Sequence, residues 1–237
     1  MRILAIETAT PVASVAVLDR SGLLAETVIR APMHHLEWLL PAVHEMLEHL
    51  GLTSDSIEGL AVSCGPGGFT GLRIGMATAM AWAKARDLPV LGIGTLEALA
   101  HVPGVDGLVF PVLDAHRGEV AGALYRVEAN GVGECLIPPL VASPEALVAG
   151  VGPYPGPVLL LGDGLDKYGT AMFSALGGRA RAGGAHLHPR AAAVGMLAVP
   201  RLISGARTDL NALRPVYGRR PVAWPGKETL RRGGNQR

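Results

Sequence analysis

The sequence predicts an α/β protein of two lobes, each a mixed sheet flanked by helices, and three observations carry that prediction. The first thirty residues alternate short apolar runs with turn residues. The next seventy alternate helical with strand periodicity, and the theme returns after a Pro/Gly cluster at Pro103-Gly104 and Asp106-Gly107. Composition agrees: of 237 residues 49 % are hydrophobic and 17 % charged, which excludes a disordered chain. Aromatics are only 4 %, while 32 Gly and 18 Pro are present, so the core is built from small aliphatic side chains joined by many turns. A chain of this length buries about 70 % of its unfolded surface and needs no staples.

Ile3-Leu4-Ala5-Ile6, residues 13–18 and residues 23–29 read as three strands, punctuated by Thr10-Pro11 and Asp19-Arg20-Ser21-Gly22. After Pro32 the period changes, with Leu36, Leu39, Leu40, Val43, Leu47 and Leu50 at helical spacing and Gly51 as the stop. Residues 57–63 are strand again, and the Gly-rich run 65–71 opens a second helix reaching Arg86. Residues 89–93 form a further strand, and Thr95 is expected to cap a short helix. Three strands in a meander followed by strand–helix–strand crossovers build a mixed sheet of ribonuclease-H type, the lobe of the actin/Hsp70/sugar-kinase fold. Residues 108–113 and 120–127 are strands around the turn Asp114-Ala115-His116-Arg117-Gly118. Pro138-Pro139 breaks the pattern, Ser143-Pro144 starts a helix, residues 158–161 are a buried strand, and residues 189–204 a last helix. The expected division is 1–104 for the N-terminal lobe, 105–220 for the C-terminal lobe and 221–237 for a basic tail that frays.

Net charge is +1 but unevenly spread: residues 201–237 carry +7 and residues 1–200 carry −6. A basic end of this kind is either a solvated terminus or a contact for RNA or an acidic partner. Two cysteines, Cys64 and Cys135, give neither a disulfide framework nor a Cys-based zinc site. Glu7 interrupts the first apolar run, so no secretory core precedes it, and no apolar run reaches the roughly 18 residues of a membrane span. A cytoplasmic protein without membrane contact is expected.

The Gly-rich loop is the sharpest local feature. Backbone N–H groups at a helix N-terminus can cradle an anion, and the same loop can simply be a tight strand-to-helix turn. It is not a Walker A loop, because Leu72-Arg73 stands where Lys-Ser/Thr is required, and Thr70 stands where a dinucleotide fingerprint needs glycine. His44 and His49 are one residue too far apart for H-E-x-x-H, and no two of the eight histidines are four apart. Glu7-Thr8-Ala9-Thr10 ends the first strand where ATP-using members of this fold place a magnesium-binding acid. Here the acid is Glu and the turn lacks Gly. A nucleophilic arrangement of Ser63 or Cys64 with His116 and Asp114 lacks the G-x-S-x-G elbow.

The two long helices carry more apolar surface than one sheet needs. Trp38, Met46 and His49 lie outside the leucine stripe of the first. The second is nearly bare from Gly71 to Ala85, with Met76, Met80 and Trp82 as knobs. A helix apolar around its circumference is buried on two sides, by the second lobe or by another subunit.

Gly65-Pro66-Gly67-Gly68-Phe69-Thr70-Gly71-Leu72-Arg73-Ile74-Gly75 resembles the G-P-G-S-F-T-G-L-R-I-G signature of the bacterial TsaB (YeaZ) family. Residues 3–10 are similar to its I-L-A-I-D-T-S-T, His35-x-Glu37-x-Leu39-Leu40-Pro41 to H-S-E-x-L-L-P, and residues 95–99 to S-L-E-A-L. Residues 114–120 resemble D-A-R-M-G-E-V, and Pro215-Val216-Tyr217-Gly218-Arg219 resembles the terminal P-x-Y-x-R. The departures are Glu7 for Asp, Ala9 for Ser and Gly68 for Ser.

The resemblance implies a non-catalytic subunit. It would pair with the metal-bearing TsaD, which transfers threonylcarbamoyl to N6 of the adenosine beside the anticodon of tRNAs reading ANN codons. The ATPase TsaE would dock on that heterodimer, with tRNA contacted through the complex. Pairing through a helix bundle implies an interface of His35, Trp38, Leu39, Val43 and Met46 with Gly71, Leu72, Gly75, Met76, Ala79 and Met80, and a homodimer when the chain is alone. A bulky residue at Gly75 or Ala79 is then expected to abolish pairing without unfolding the monomer. Glu7, Thr8, Thr10, Gly65, Gly67, Gly68 and Thr70 are expected to be degenerate phosphate-type loops, with no catalytic residue, no metal and no cofactor. The alternatives are a glycoprotease-type metallopeptidase and an actin-like small-molecule kinase or ATPase.

Overall fold

The structure, a computed structural model, describes residues 1–30, 35–128, 131–183 and 188–217. β1 (Ile3–Glu7), β2 (Val12–Asp19) and β3 (Gly22–Arg30) form an antiparallel meander. β4 (Gly59–Ser63) and β5 (Val90–Ile93) add to it in parallel, giving the order β3-β2-β1-β4-β5. Because strand side chains alternate, Leu4, Ile6, Val15, Val17, Leu60 and Val62 face one way. They pack under α1 (His35–His49) and α2 (Phe69–Arg86). Both helices cross between parallel strands, so they run in the same direction on that face.

The second sheet repeats the plan. β6 (Gly107–Asp114), β7 (Val120–Glu128) and β8 (Gly131–Ala142) are a meander, with β9 (Val158–Leu161) and β10 (Ala180–Ala182) in parallel beside β6. α4 (Pro144–Val151) and α5 (Gly164–Leu176) cover one face around Phe110, Leu124 and Leu160. The short α3 (Thr95–Ala100) joins the lobes: Ala98 packs on the first sheet, Leu96 and Leu99 on the second. Two mixed sheets flanked by helices make this the actin/Hsp70/sugar-kinase type of α/β fold.

Four sequence expectations change. The last helix, α6 (Ala191–Ile203), was expected within the second lobe, yet it covers the other face of the first sheet against Ile3, Ala5, Ala16 and Leu18. Its small residues allow the close approach; a Cβ on Gly195 would lie 2.1 Å from the Leu18 side chain. β8 runs through Pro138-Pro139, which an edge strand with shifted register tolerates. Gly94 caps α3, and Thr95 is buried, its hydroxyl accepting the Gly65 N–H at 3.1 Å. α5 and β10 had no expected counterpart.

After α6 the chain returns along the first sheet as a strap. The Thr208 N–H donates to Val90 O (2.8 Å), Leu213 is buried in the α1–α2 core, and the Val216 N–H donates to Cys64 O (2.7 Å). The expected fraying tail 221–237 lies outside the described residues, as does Arg219.

Candidate functional site

A cleft of about 570 Å³ opens between the lobes. The first lobe lines it with the β1–β2 turn (Thr8, Ala9, Thr10) and the Gly-rich loop (Gly67, Gly68, Thr70). The second lobe contributes Asp114, His116, Asp163, Asp166, Lys167 and His188. Five of the seven expected loop residues therefore come together here. Glu7 and Gly65 lie behind the cleft wall.

The two first-lobe loops are closed on each other. The Gly68 N–H donates to Ala9 O at 2.7 Å, and the Thr8 hydroxyl donates to Gly71 O at 2.8 Å. Glycine is required for this approach: a Cβ on Gly67 would stand 2.5 Å from Ala9 O, and one on Gly75 2.3 Å from Thr8 Oγ1. The Thr10 hydroxyl donates to Val12 O at 3.0 Å. The amide of Gly68, the N-cap of α2, is thus given to Ala9, and the loop makes a tight strand-to-helix turn.

Glu7 is fully buried and turned inward, with Oε1 accepting the Ala9 N–H at 2.6 Å. Burial pushes its pKa up to about 7, against the pull of the Ala9 N–H, the neighbouring Ser63 hydroxyl and the Thr8 backbone. Its Oε2 makes no hydrogen bond of good geometry among the described residues. The Cys64 thiol donates to Ile93 O (3.2 Å), and burial together with the charge of Glu7 pushes it up to about 11. Neither Ser63 nor Cys64 lines the cleft that holds His116, so no nucleophile–base pair is assembled there.

On the opposite wall the sequence pointed to Asp114 and His116 but not to the residues around them. Asp163 Oδ1 accepts the Asp114 N–H at 3.1 Å, and its Oδ2 lies 3.9 Å from His188 Nδ1. Burial raises the Asp163 pKa and lowers that of His188. Asp114, Asp163 and Asp166 stand against Arg30 and Lys167, a mixed wall rather than a phosphate cradle. Among the described residues no three His, Cys, Asp or Glu side chains are grouped to hold a metal ion. Asp163 and His188 are 25 residues apart, so no local motif announces them.

The expected partner interface divides in two. Leu39, Val43 and Met46 of α1, with Gly71, Leu72, Gly75, Met76 and Ala79 of α2, are buried against the sheet and cannot meet a second chain from there. Trp38 and Met80 are half-buried at the rim, and the side chain of His35 lies outside the described residues. The apolar part of the outward surface is Leu36 (70 % exposed), Leu40 (55 %) and Phe69 (54 %), with Ala77 and Ala81 also exposed, among polar positions such as Glu37, His44, Glu45, Thr70 and Arg73. Sequence periodicity assigned Leu36 and Leu40 to the core stripe, because six apolar positions over 36–50 cover more of the helix than one sheet buries. Gly75 and Ala79 are likewise core positions, so a bulky side chain there disturbs the monomer itself.

At the N-terminal end of α2, Phe69 and Tyr217 stack with ring centroids 4.9 Å apart, the Arg73 guanidinium lies 3.7 Å over the Phe69 ring, and Arg73 Nε donates to the Tyr217 hydroxyl at 2.8 Å. Sequence reasoning missed this cluster because Arg73 and Tyr217 are 144 residues apart.

Residues 27–152 match the family model described as TsaD, tRNA N6-adenosine threonylcarbamoyltransferase. The tRNA threonylcarbamoyladenosine biosynthesis protein TsaB of Escherichia coli is 32 % identical over 234 residues, 96 % of this chain and 100 % of its own. Its Bacillus subtilis namesake is 30 % identical over 92 % of this chain and 93 % of its own. YeaZ from Pseudomonas aeruginosa superposes with a TM-score of 0.80 at 27 % identity, over 91 % of this chain and 99 % of that one. The ethanolamine utilization protein EutJ from Carboxydothermus hydrogenoformans, at 12 % identity and a TM-score of 0.51, shares the fold.

Proposed function

Since the chain belongs to the TsaB family of tRNA threonylcarbamoyladenosine biosynthesis proteins, we propose that it serves that pathway as a subunit without chemistry of its own, pairing with a TsaD-type transferase on which TsaE docks. The observation that carries this reading is the outward face of α1 and α2. Leu36, Leu40 and Phe69 leave large apolar side chains exposed at the same end of two adjacent helices, and exposed apolar patches of this kind mark interaction sites. The small residues Ala77 and Ala81 let a facing helix approach closely. The closed turn at Ala9 and Gly68 supports the non-catalytic half of the reading, since it engages the Gly68 amide with Ala9 O and the Thr8 hydroxyl with Gly71 O.

The partner face is accordingly Leu36, Leu40, Phe69, Ala77 and Ala81, rimmed by Trp38 and Met80. The core residues behind it shape the face without touching the partner. Left alone, the same surface is expected to pair with a second copy across a two-fold axis. Size-exclusion chromatography with light scattering, on the chain alone and mixed with its cognate TsaD-type protein, tests this. A one-to-one heterodimer that displaces the self-associated form is expected, and two species eluting independently would reject the pairing.

A further inference from the structure

The Phe69–Arg73–Tyr217 cluster sits on the rim of this face, and it does more than fill space. Arg73 is exposed, yet its guanidinium is fixed from two sides: Phe69 beneath it at 3.7 Å and the Tyr217 hydroxyl on Nε at 2.8 Å. Its Nη1 and Nη2 hydrogen-bond to no described residue. Arginine loses much of its rotamer freedom when it binds, and here two neighbours have already removed it. The edge left open presents two parallel N–H donors, the fork that matches a carboxylate or phosphate in bidentate fashion.

Tyr217 holds that geometry only because the strap is anchored behind it. The Val216 N–H is tied to Cys64 O, and Gly65 is shaped to the strap, a Cβ there meeting Val216 O at 2.2 Å. The strap thus carries an aromatic hydroxyl from the segment after α6 to the first turns of α2.

Resting on the pairing reading above, we infer that Arg73 is the charged anchor of the partner face and receives a carboxylate of the partner subunit, with Tyr217 as its positioning residue. The described surroundings favour a carboxylate over an RNA phosphate. Nucleic-acid surfaces gather several cations along one face, whereas among the described residues the exposed positions one turn from Arg73 on α2 are Phe69, Thr70 and Ala77, and Leu36 and Leu40 are exposed at the corresponding end of α1. The cations of α2, Lys84 and Arg86, stand in its last turn. Among the described residues, an arginine held beside two aromatic rings and next to exposed apolar positions has the composition of a protein–protein hot spot.

The test measures affinity for the cognate TsaD-type protein by titration calorimetry at low and high salt, for wild type, Arg73→Met, Arg73→Lys, Tyr217→Phe and Leu40→Asp, each checked for an unchanged melting midpoint. Arg73→Met is expected to weaken binding about thirtyfold or more and to flatten its salt dependence. Arg73→Lys keeps charge without the planar fork and is expected to weaken it about tenfold, and Tyr217→Phe a few-fold. Leu40→Asp separates the two readings. If it leaves affinity intact, the helical face itself is wrong and this inference falls with it. If it abolishes pairing while Arg73→Met retains wild-type affinity and salt slope, only the inference about Arg73 is overturned. Loss of tRNA binding by the complex, with subunit affinity preserved in Arg73→Met, would overturn it in favour of a phosphate.

Discussion

The amide of Gly68 donates to the carbonyl of Ala9 across 2.7 Å, fastening the β1–β2 turn onto the N-terminus of α2. Both loops line the cleft between the lobes, and here they satisfy each other through this bond and the Thr8 hydroxyl on Gly71 O. The contact depends on the absence of side chains at Gly67 and Gly75.

Gly75→Leu is therefore a monomer-stability variant. Thr8 Oγ1 would lie 2.3 Å from the new Cβ, and overpacking of this kind costs about 1–3 kcal/mol or more. Urea unfolding should show a lowered midpoint in the isolated chain, and an unchanged midpoint would contradict the packing.

Leu40→Asp and Leu36→Asp should behave in the opposite way. Both positions are exposed, so stability should shift by no more than about 0.5 kcal/mol while heterodimer affinity falls by an order of magnitude or more. Thermal melts paired with light scattering separate the two effects.

Glu7 makes stability depend on pH. Its folded pKa, near 7, lies above the ordinary 4.5, so between those values the unfolded chain gives up its proton first. The folded state holds more protons there, and stability falls as pH rises from about 4.5 to 7, by about 3 kcal/mol from this group. Glu7→Gln removes that loss, and its Oε1 can still accept the Ala9 N–H. Relative to wild type it should gain stability from pH 5 to pH 8 in denaturant titrations; parallel curves would refute the assignment.

The two thiols should differ in reactivity. Cys64 is half-buried, bonded to Ile93 O and pushed up to about 11, whereas Cys135 is exposed on β8. At pH 8 a thiol reagent should label Cys135 in the native chain and reach Cys64 only on unfolding, read by mass spectrometry after digestion. Fast labelling of Cys64 would mean that the strap over it opens.

Much of this was legible in the residues. The short apolar runs of β1 and β2 and the stop at Gly51 marked the first lobe, and Ser143-Pro144 marked the start of α4, where the Ser143 hydroxyl does accept the Ala146 N–H. What escaped depends on distant partners. α6 carries no mark saying which sheet its small residues suit; Leu18 decides that. The leucine stripe of α1 shows which residues are apolar but not where the sheet stops covering them, so Leu39 and Leu40 look alike in sequence and differ in burial. Nothing near Arg73 points to Tyr217, because the strap must close before the two can meet. The cleft acids Asp163, at the N-cap of α5, and Asp166, in its first turn, belong to no recognised motif.

On the reading proposed above, this chain acts by presenting the α1–α2 face to a transferase. The most direct test of that reading is transfer of labelled threonylcarbamoyl to tRNA by the cognate TsaD-type protein with TsaE, in the presence of wild-type chain, the Leu40→Asp chain or neither. Product formed with wild type only, and lost with Leu40→Asp although that variant stays folded, is the predicted result. Product formed by the chain alone, or equally with Leu40→Asp, would contradict the account.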